Sequence, residues 1–217
     1  MARVFSGKRV SRPTRDNLWI GALSAAAALT RRAGLTESDV LRGVTEALRG
    51  LGLVGGVTLL TPDGLLEVRN RPLHSALVTA LRRLTGTDIV GYKFDPKISE
   101  AYRQVLQTGE PVYRPRRSQV VAEILPPPLR NLLPQIIHLL GEVPIILAPV
   151  TLAGEKLGAF NATGGWLTPD DVPMVAALAD HAAIALGHVR SRAEMQSALE
   201  RERLRNALLS SISHDLR

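Results

Sequence analysis

The fold can be predicted from the segment VPIILAPVTLAGEKLGAFN, residues 143–161. Two apolar runs, 144–152 and 156–162, flank the short segment Ala153-Gly154-Glu155. Apolar runs of strand length that are joined by a Gly-containing turn are typical of a β-hairpin. We therefore predict two antiparallel strands here, and a sheet around them.

The next motif downstream, Thr168-Pro169-Asp170-Asp171, signals the start of a helix. A Thr cap, a Pro at the first helical position and two acids over the positive end of the helix dipole all favour it. From there to the C-terminus there is no further Pro apart from Pro173, and Gly187 is the only Gly. One long helix is therefore predicted, and only its first half is apolar enough to dock on a sheet.

The N-terminal half predicts two helices and a second hairpin. Asp16 or Asn17 could cap a first helix that continues to about Arg32. The segment 36–39 resembles a capping box with Asp in place of Glu, and apolar residues at helical spacing follow it to Leu51. The turn 61–64 then joins the apolar runs 56–60 and 65–69.

The middle of the chain, 86–135, has the weakest pattern. A helix over 73–84 precedes it, and within it we predict a strand over 89–92 and a short helix over 99–108, before three prolines at 126–128. Irregular segments this long inside a domain are usually functional or mobile.

Composition excludes several classes of function. The 217 residues are 45% apolar and 22% charged, which is typical of a globular protein, and they contain no cysteine. Disulfides, thiolate metal sites and thiol nucleophiles are therefore excluded. The apolar stretch 18–29 is too short to cross a bilayer, so we expect no membrane span and a cytoplasmic location.

The net charge of +7 is concentrated at the two ends of the chain. A basic balance can indicate nucleic-acid binding. Here the terminal helix interleaves Glu194, Glu200 and Glu202 with its arginines, and no aromatic residues lie among them. This pattern is typical of a solvated helix or the flank of a coiled coil, so we expect no nucleic-acid partner.

The hairpin 143–161, the helix start at 167–171 and the segment AALADHAAIAL at 176–186 closely resemble the C-terminal half of GAF domains. The resemblance covers about residues 20–190. It implies an α+β fold, with a GAF-like central antiparallel sheet, flanking helices and a long C-terminal signalling helix. We expect a flexible basic leader over 1–15, a GAF sensory domain over 16–190, and a signalling helix over 191–217.

The final segment, LRNALLSSISHDLR at 204–217, resembles the H-box of sensor histidine kinases, with wording close to that of potassium-responsive osmosensing kinases. The resemblance implies that His214 accepts a phosphoryl group from ATP and that Asp215 orients and activates its imidazole. An exposed imidazole is a competent nucleophile, and a neighbouring carboxylate can hold the tautomer that leaves the attacking nitrogen free.

This resemblance also implies partners. The Thr-Pro-Leu that usually follows the motif and the ATP-binding domain are missing, so we expect a piece of a longer kinase that is inactive alone. ATP would be used only by the missing kinase domain. A homodimer through the C-terminal helix is expected, with Leu204, Leu208 and Ile212 in its seam, together with a kinase catalytic domain and a response regulator.

The GAF resemblance implies a small-molecule pocket between the sheet and the irregular middle. Its polar and aromatic candidates are Tyr92, Lys93, Asp95, Tyr102, His138, Phe160 and Asn161. A covalent bilin and the thiol chemistry of methionine-sulfoxide-reducing GAF enzymes both need the absent cysteine. The segment GYKFDP at 91–96 only superficially echoes the cyclic-nucleotide signature of the family.

The ligand itself stays open. Haem ligation by His74, His138 or His181 is one alternative, no metal site is predicted, and the cofactor is unknown. Two functions remain: a signal-input module that passes a ligand- or partner-dependent change down the terminal helix, and a ligand-free GAF domain that serves as a structural or dimerisation element.

Overall fold

The computed structural model describes residues 12–70, 75–86 and 88–215, without the side chains of 12, 13, 75–77, 81 and 207–215. Seven α-helices lie in these ranges: α1 (Arg12–Arg31), α2 (Glu37–Gly50), α3 (Ser75–Thr85), α4 (Glu100–Thr108), α5 (Arg117–Ile124), α6 (Leu133–Leu140) and α7 (Val172–Asp215). Short 3₁₀ helices cover Pro96–Ile98, Pro127–Leu132 and Pro169–Asp171. Helix α1 begins inside the segment that was expected to be a flexible leader.

Six strands form one antiparallel sheet within the same described ranges. They are β1 (Val54–Leu60), β2 (Leu66–Val68), β3 (Lys93–Phe94), β4 (Val112–Arg114), β5 (Ile145–Leu152) and β6 (Glu155–Thr163), in the order β3-β2-β1-β6-β5-β4. Both predicted hairpins are confirmed, and they lie side by side because β1 pairs with β6. The predicted α+β fold with a central antiparallel sheet is thus present.

The β5–β6 hairpin closes through a two-residue turn. Ala153 and Gly154 both have positive φ, at 49° and 85°. A two-residue turn with positive φ at both positions matches the right-handed twist of the flanking strands. The sequence prediction of a hairpin at this point is therefore explained by its turn as well as by its strands.

The strand predicted over 89–92 is wrong by a few residues. The structure has a turn there, and β3 starts at Lys93. Gly91 has φ 83°, so the backbone cannot remain extended through it. Two hydrogen bonds hold the turn against β2, from Gly91 N to Val68 O (2.8 Å) and from Val68 N to Tyr92 O (3.0 Å).

The two faces of the sheet carry different layers. Helices α1, α2 and α7 cover one face, and the main core lies there, including Val44, Leu48, Phe160 and Leu178. On the other face α4 and α5 pack with residues such as Tyr102 and Val120. Helix α6 and the end of α3 add a small cluster beyond them.

The predicted starts of α2 and α7 are confirmed. Thr36 and Asp39 form a reciprocal capping box, in which Asp39 N donates to Thr36 Oγ1 (3.2 Å) and Thr36 N donates to Asp39 Oδ2 (3.0 Å). At the second start, Thr168 N and Thr168 Oγ1 donate to Asp171 Oδ2 at 2.8 and 2.9 Å. The cap therefore begins a single turn of 3₁₀ helix that continues into α7.

Asp171 also fastens α1 to the start of α7. Arg15 forms an ion pair with Asp171 Oδ2, and Trp19 Nε1 donates to Oδ1 at 3.1 Å. The Arg15 guanidinium lies 5.3 Å from the ring centroid of Trp166, which meets Trp19 edge-on at 5.7 Å. Burial alone would raise the pKa of Asp171, but the hydrogen bonds from Arg15 and Thr168 outweigh it and lower that pKa below 3.8.

Helix α7 is 44 residues long, and its two halves differ. The first half packs on β5 through residues such as Leu178, Ala182 and Leu186, which are buried. By length and composition Pro169–Asn206 would suffice to cross a membrane, yet 44% of its apolar window is buried in the domain. Core helices commonly pass that test, so it is weak evidence for a span.

Candidate functional site

A largely apolar cavity of about 220 Å³ lies on the face of the sheet opposite α7. Strands β1, β2 and β6 form its floor, and α5, α6 and the segment after α3 cover it. The irregular middle of the sequence thus closes a pocket.

The strand β6 gives the cavity its polar floor because side chains alternate along a strand. Phe160 and Ala162 point into the main core, whereas Asn161 and Thr163 line the cavity. Asn161 Nδ2 donates to Gly56 O at 3.3 Å. This bond orients the amide, and its Oδ1 accepts no hydrogen bond from the residues that the structure describes.

Arg117 is a buried cation in the wall of the cavity, at 4% exposure. Its Nη1 donates to Leu140 O at 2.7 Å and its Nη2 donates to Thr163 Oγ1. Burial lowers the pKa of Arg117 to about 10, while Glu142 acts in the opposite direction, so the side chain is still a cation at neutral pH. Arg117 therefore ties α5 to the end of α6 and to β6.

Three aromatic rings form another wall of the cavity. Tyr92 and Phe94 stack with centroids 6.0 Å apart, and Phe94 meets Tyr102 edge-on at 5.0 Å. Tyr92 Oη donates to Ile124 O at 2.6 Å, which ties the end of α5 to the start of β3. Burial raises the pKa of both tyrosines, so they remain neutral phenols at physiological pH.

Asn70, just after β2, holds the floor at β1. Its Oδ1 accepts from Val57 N at 2.9 Å, and its Nδ2 donates to Thr45 Oγ1 on α2. Gly56 is needed beside it, because a Cβ at Gly56 would overlap the Asn70 amide. This amide therefore links the cavity to the helical layer on the other face.

Of the candidates from the sequence, the structure brings Tyr92, Tyr102 and Asn161 together along the cavity. The other four lie elsewhere, for identifiable reasons. Lys93 is exposed and lies 3.9 Å from Glu67. Asp95 caps the 3₁₀ helix Pro96–Ile98 by accepting a hydrogen bond from Lys97 N at 2.9 Å. His138 is exposed on α6, and Phe160 is buried in the main core on the other face of the sheet.

Sequence reasoning missed Arg117, Asn70 and Thr163. No local pattern in the sequence marks any of these residues. Arg117, for example, belongs to a group of three basic residues, at 114, 116 and 117, which is typical of an exposed surface. Only the fold shows that one of the three is buried, while Arg116 is exposed.

Haem ligation by His74, His138 or His181 was one alternative from the sequence. His74 lies outside the described residues. His138 and His181 are not among the lining residues, and His181 Nδ1 is buried with no partner in the described part of the chain. Within that part, no group of three or more His, Asp or Glu side chains could hold a metal ion.

His214 and Asp215 belong to the last turn of α7, and their side chains lie outside the described set. The side chains of Leu208 and Ile212 also lie outside the described set. Their roles stay predictions from the sequence.

No protein-family profile matches the chain, and no curated protein matches its sequence. Solved structures match its fold. The GAF domain of a phosphoenolpyruvate-protein phosphotransferase from Coxiella burnetii is 17% identical with a TM-score of 0.58, covering 82% of this chain and 98% of its own.

Two further structures agree. The nlh2 GAF domain of A. aeolicus, in an inactive state, is 12% identical with a TM-score of 0.56, over 80% of this chain and 98% of its own. The free methionine-R-sulfoxide reductase of Neisseria meningitidis, in complex with its substrate, is 12% identical with a TM-score of 0.57, over 87% and 96%. At these identities the likeness shows the fold, and the fold is GAF-like.

Proposed function

We propose that this chain is the regulatory sensor region of a two-component histidine kinase. In this proposal the cavity binds a small molecule, and α7 carries the resulting change to a phosphoacceptor at His214. The observation that carries it is the continuity of α7, which packs on the sheet at one end and reaches the His214-Asp215 pair at the other.

The cavity supports ligand binding by its size and lining. Ligand sites in proteins are concave and mostly apolar, with a few placed polar groups. Here Asn161, Arg117 and Tyr92 are among the polar groups of a lining that is mostly apolar, and Asn70, Asp88 and Thr163 also belong to it. The Neisseria relative of this fold was solved in complex with its substrate. This chain contains no cysteine, so we propose that the cavity binds its ligand without thiol chemistry.

The sheet offers a direct route from the cavity to α7. Asn161 and Thr163 face the cavity, while Phe160 and Ala162 on the same strand face the helical layer. A shift of β6 by a ligand must therefore move residues that pack under α7. Because packed layers are close to crystal density, such shifts are transmitted rather than absorbed.

The contact of α7 with β5 is unusually close at Gly187. A Cβ added there would overlap Cδ2 of Leu152. Beyond this point Arg190 Nη1 lies 3.8 Å from the exposed carboxylate of Glu155, the first residue of β6. The hairpin therefore holds the middle of α7, at the place where the helix leaves the domain.

The second half of α7 supports a homodimer. Met195, Leu199 and Leu204 are 66%, 50% and 66% exposed. Met195 and Leu199 form one short apolar row, and Leu204 begins a second row after a five-residue step. Short apolar rows set among charges, with such a phase break, are typical of a helix that pairs with another. Pairing with a second copy of α7 would bury apolar side chains of these rows and place the two His214 segments together.

The chemistry proposed for His214 is phosphoryl transfer from ATP held by a separate kinase domain. The imidazole nitrogen would attack the γ-phosphorus, and the bond to ADP would break. Asp215 would hold the proton on the other ring nitrogen, which keeps the attacking nitrogen unprotonated.

The test is ATP labelling of this chain joined to its kinase domain. We expect γ-phosphate label on the wild type and none on His214→Gln. His138→Gln is the matched control, since His138 is exposed on α6, and it should label normally. Persistent label on His214→Gln refutes the phosphoacceptor role.

A cavity-filling pair tests the sensor role. Ile136 (3% exposed) lines the cavity from α6, whereas Leu139 on the same helix is 36% exposed and does not line it. We expect Ile136→Phe to abolish ligand-dependent change in labelling and Leu139→Phe to preserve it, with circular dichroism confirming that both fold. Equal responses would remove the cavity from the mechanism.

The exposed row on α7 also favours a second function, a ligand-free dimerisation element. It predicts that native mass spectrometry of protein purified from cells shows a dimer with no bound small molecule. It also predicts that Ile136→Phe leaves labelling unchanged, which separates it from the sensor.

A further inference from the structure

We propose that the cavity takes a neutral aromatic molecule of one or two fused rings, which donates one hydrogen bond to Oδ1 of Asn161. This inference rests on the proposed sensor function and names the class of its ligand.

The size of the cavity sets the size of the ligand. An apolar cavity of about 150 Å³ is enough for benzene. The cavity here is about 220 Å³, or roughly half as large again. A fused bicycle of about nine heavy atoms fits that scaling.

The shape and polarity of the lining favour a flat, uncharged body. The rings of Tyr92, Phe94 and Tyr102 form one wall, and Ile136 and Ile145 are aliphatic surfaces elsewhere. Aromatic rings prefer offset stacking or edge contacts with another ring. A charged ligand body would have to lose its hydration against these side chains, which is costly.

The buried charge in the wall is already used for structure. Arg117 donates to Leu140 O and to Thr163 Oγ1, and it interacts favourably with Glu142. Its cation also opposes a positively charged ligand. Asp88 also lines the cavity, from an exposed position, and its carboxylate carries the opposite charge. Because these two charges oppose each other in their effect on a charged ligand, a neutral ligand is favoured, and the anionic alternative becomes an outcome of the test.

In this proposal Asn161 is the polar group that gives the cavity its specificity. The bond from its Nδ2 to Gly56 O fixes the amide of this lining residue, and its acceptor Oδ1 has no hydrogen-bond partner among the residues that the structure describes. An acceptor in an apolar site favours a ligand that carries a hydrogen-bond donor, because a ligand without a donor leaves the acceptor unpaired.

The experiment uses two probes of one shape. Indole carries an N–H donor, and benzofuran has an oxygen in its place. By isothermal titration with the whole chain, we expect both to bind, and indole to bind about three- to tenfold more tightly. In Asn161→Leu that preference should disappear while benzofuran still binds. Asn131→Leu, at an exposed position, should keep it.

Two results overturn the ligand class: equal affinities for indole and benzofuran in the wild type, or tighter binding of indole-3-carboxylate than of indole. Neither result bears on the sensor role, which is tested by labelling with Ile136→Phe. Conversely, indole binding with unchanged labelling in Ile136→Phe would keep the ligand class and reject the sensor. Ile136→Phe should also abolish indole binding, and retained affinity there places the probe outside the cavity.

Discussion

Replacing Asp171 with Asn should destabilise the domain because this carboxylate joins α1 to α7. It accepts four hydrogen bonds, from Arg15, from Trp19 Nε1 and from the backbone and side chain of Thr168. An amide has one acceptor oxygen, so its NH₂ must face either Trp19 or the Arg15–Thr168 side. Either way a donor is left facing a donor, and the charge opposite Arg15 is lost.

The magnitude follows from those lost bonds. Hydrogen bonds to charged groups contribute about 1.5–3 kcal/mol each, and removing one partner of a buried ion pair costs about 3–5 kcal/mol. Asp171 is 3% exposed, but the Arg15 side chain is 18% exposed and can regain water. We therefore expect a loss of about 2–3 kcal/mol in the free energy of unfolding, since water offsets part of that cost.

The assay is urea and thermal unfolding followed by circular dichroism. For a domain of this length a loss of about 2–3 kcal/mol lowers Tm by about 4–12 °C. Asp170→Asn is the control, because Asp170 lies at the same helix start and is exposed. It should change stability by about 0.5 kcal/mol or less. If the two variants unfold alike, the network does not hold α1 on α7.

The remaining predictions concern pH, the buried cation and the close strand pair. The pKa of Asp171 in the folded state lies below 3.8, so its contribution to the free energy of unfolding is present above pH 3.8 and is lost as the pH falls through the folded pKa. The free energies of unfolding of wild type and Asp171→Asn, measured by urea titration, should therefore converge below pH 3.8. Arg117→Met should lower the free energy of unfolding by about 2–4 kcal/mol, because Leu140 O and Thr163 lose a buried donor. In the same unfolding assay Arg116→Met, at an exposed site, should lower it by less than about 0.5 kcal/mol. Gly55→Ala should lower the free energy of unfolding by about 3 kcal/mol, since a Cβ there would overlap the carbonyl oxygen of Asn161. Gly50→Ala is the control, because Gly50 lies at the end of α2 with open space around it, and this change should be neutral or stabilising. Similar melting temperatures for the two variants would contradict this.

The local elements could be predicted from the order of the amino acids alone. Both hairpins, the capping boxes at Thr36 and Thr168, and the long α7 were all predicted, because strand alternation, turn residues and helix caps are properties of short segments. The order of these elements also indicated the GAF-like architecture that the solved structures share. The strand placed at 89–92 shifted to Lys93 because Gly91 has a positive φ, which a pattern of apolar residues does not reveal.

The cavity and its contacts arise from the packing of elements that are far apart in the chain. Asn161 reaches Gly56 across 105 positions, and Arg15 reaches Asp171 across 156. No local rule connects such residues, because the pleat of β6 and the docking of α1 bring them together. The same folding buries Arg117 beside exposed Arg116, and sends Phe160 to one face of the sheet and Asn161 to the other. The sequence named the type of domain, and the packing decided which of its polar residues could meet a ligand.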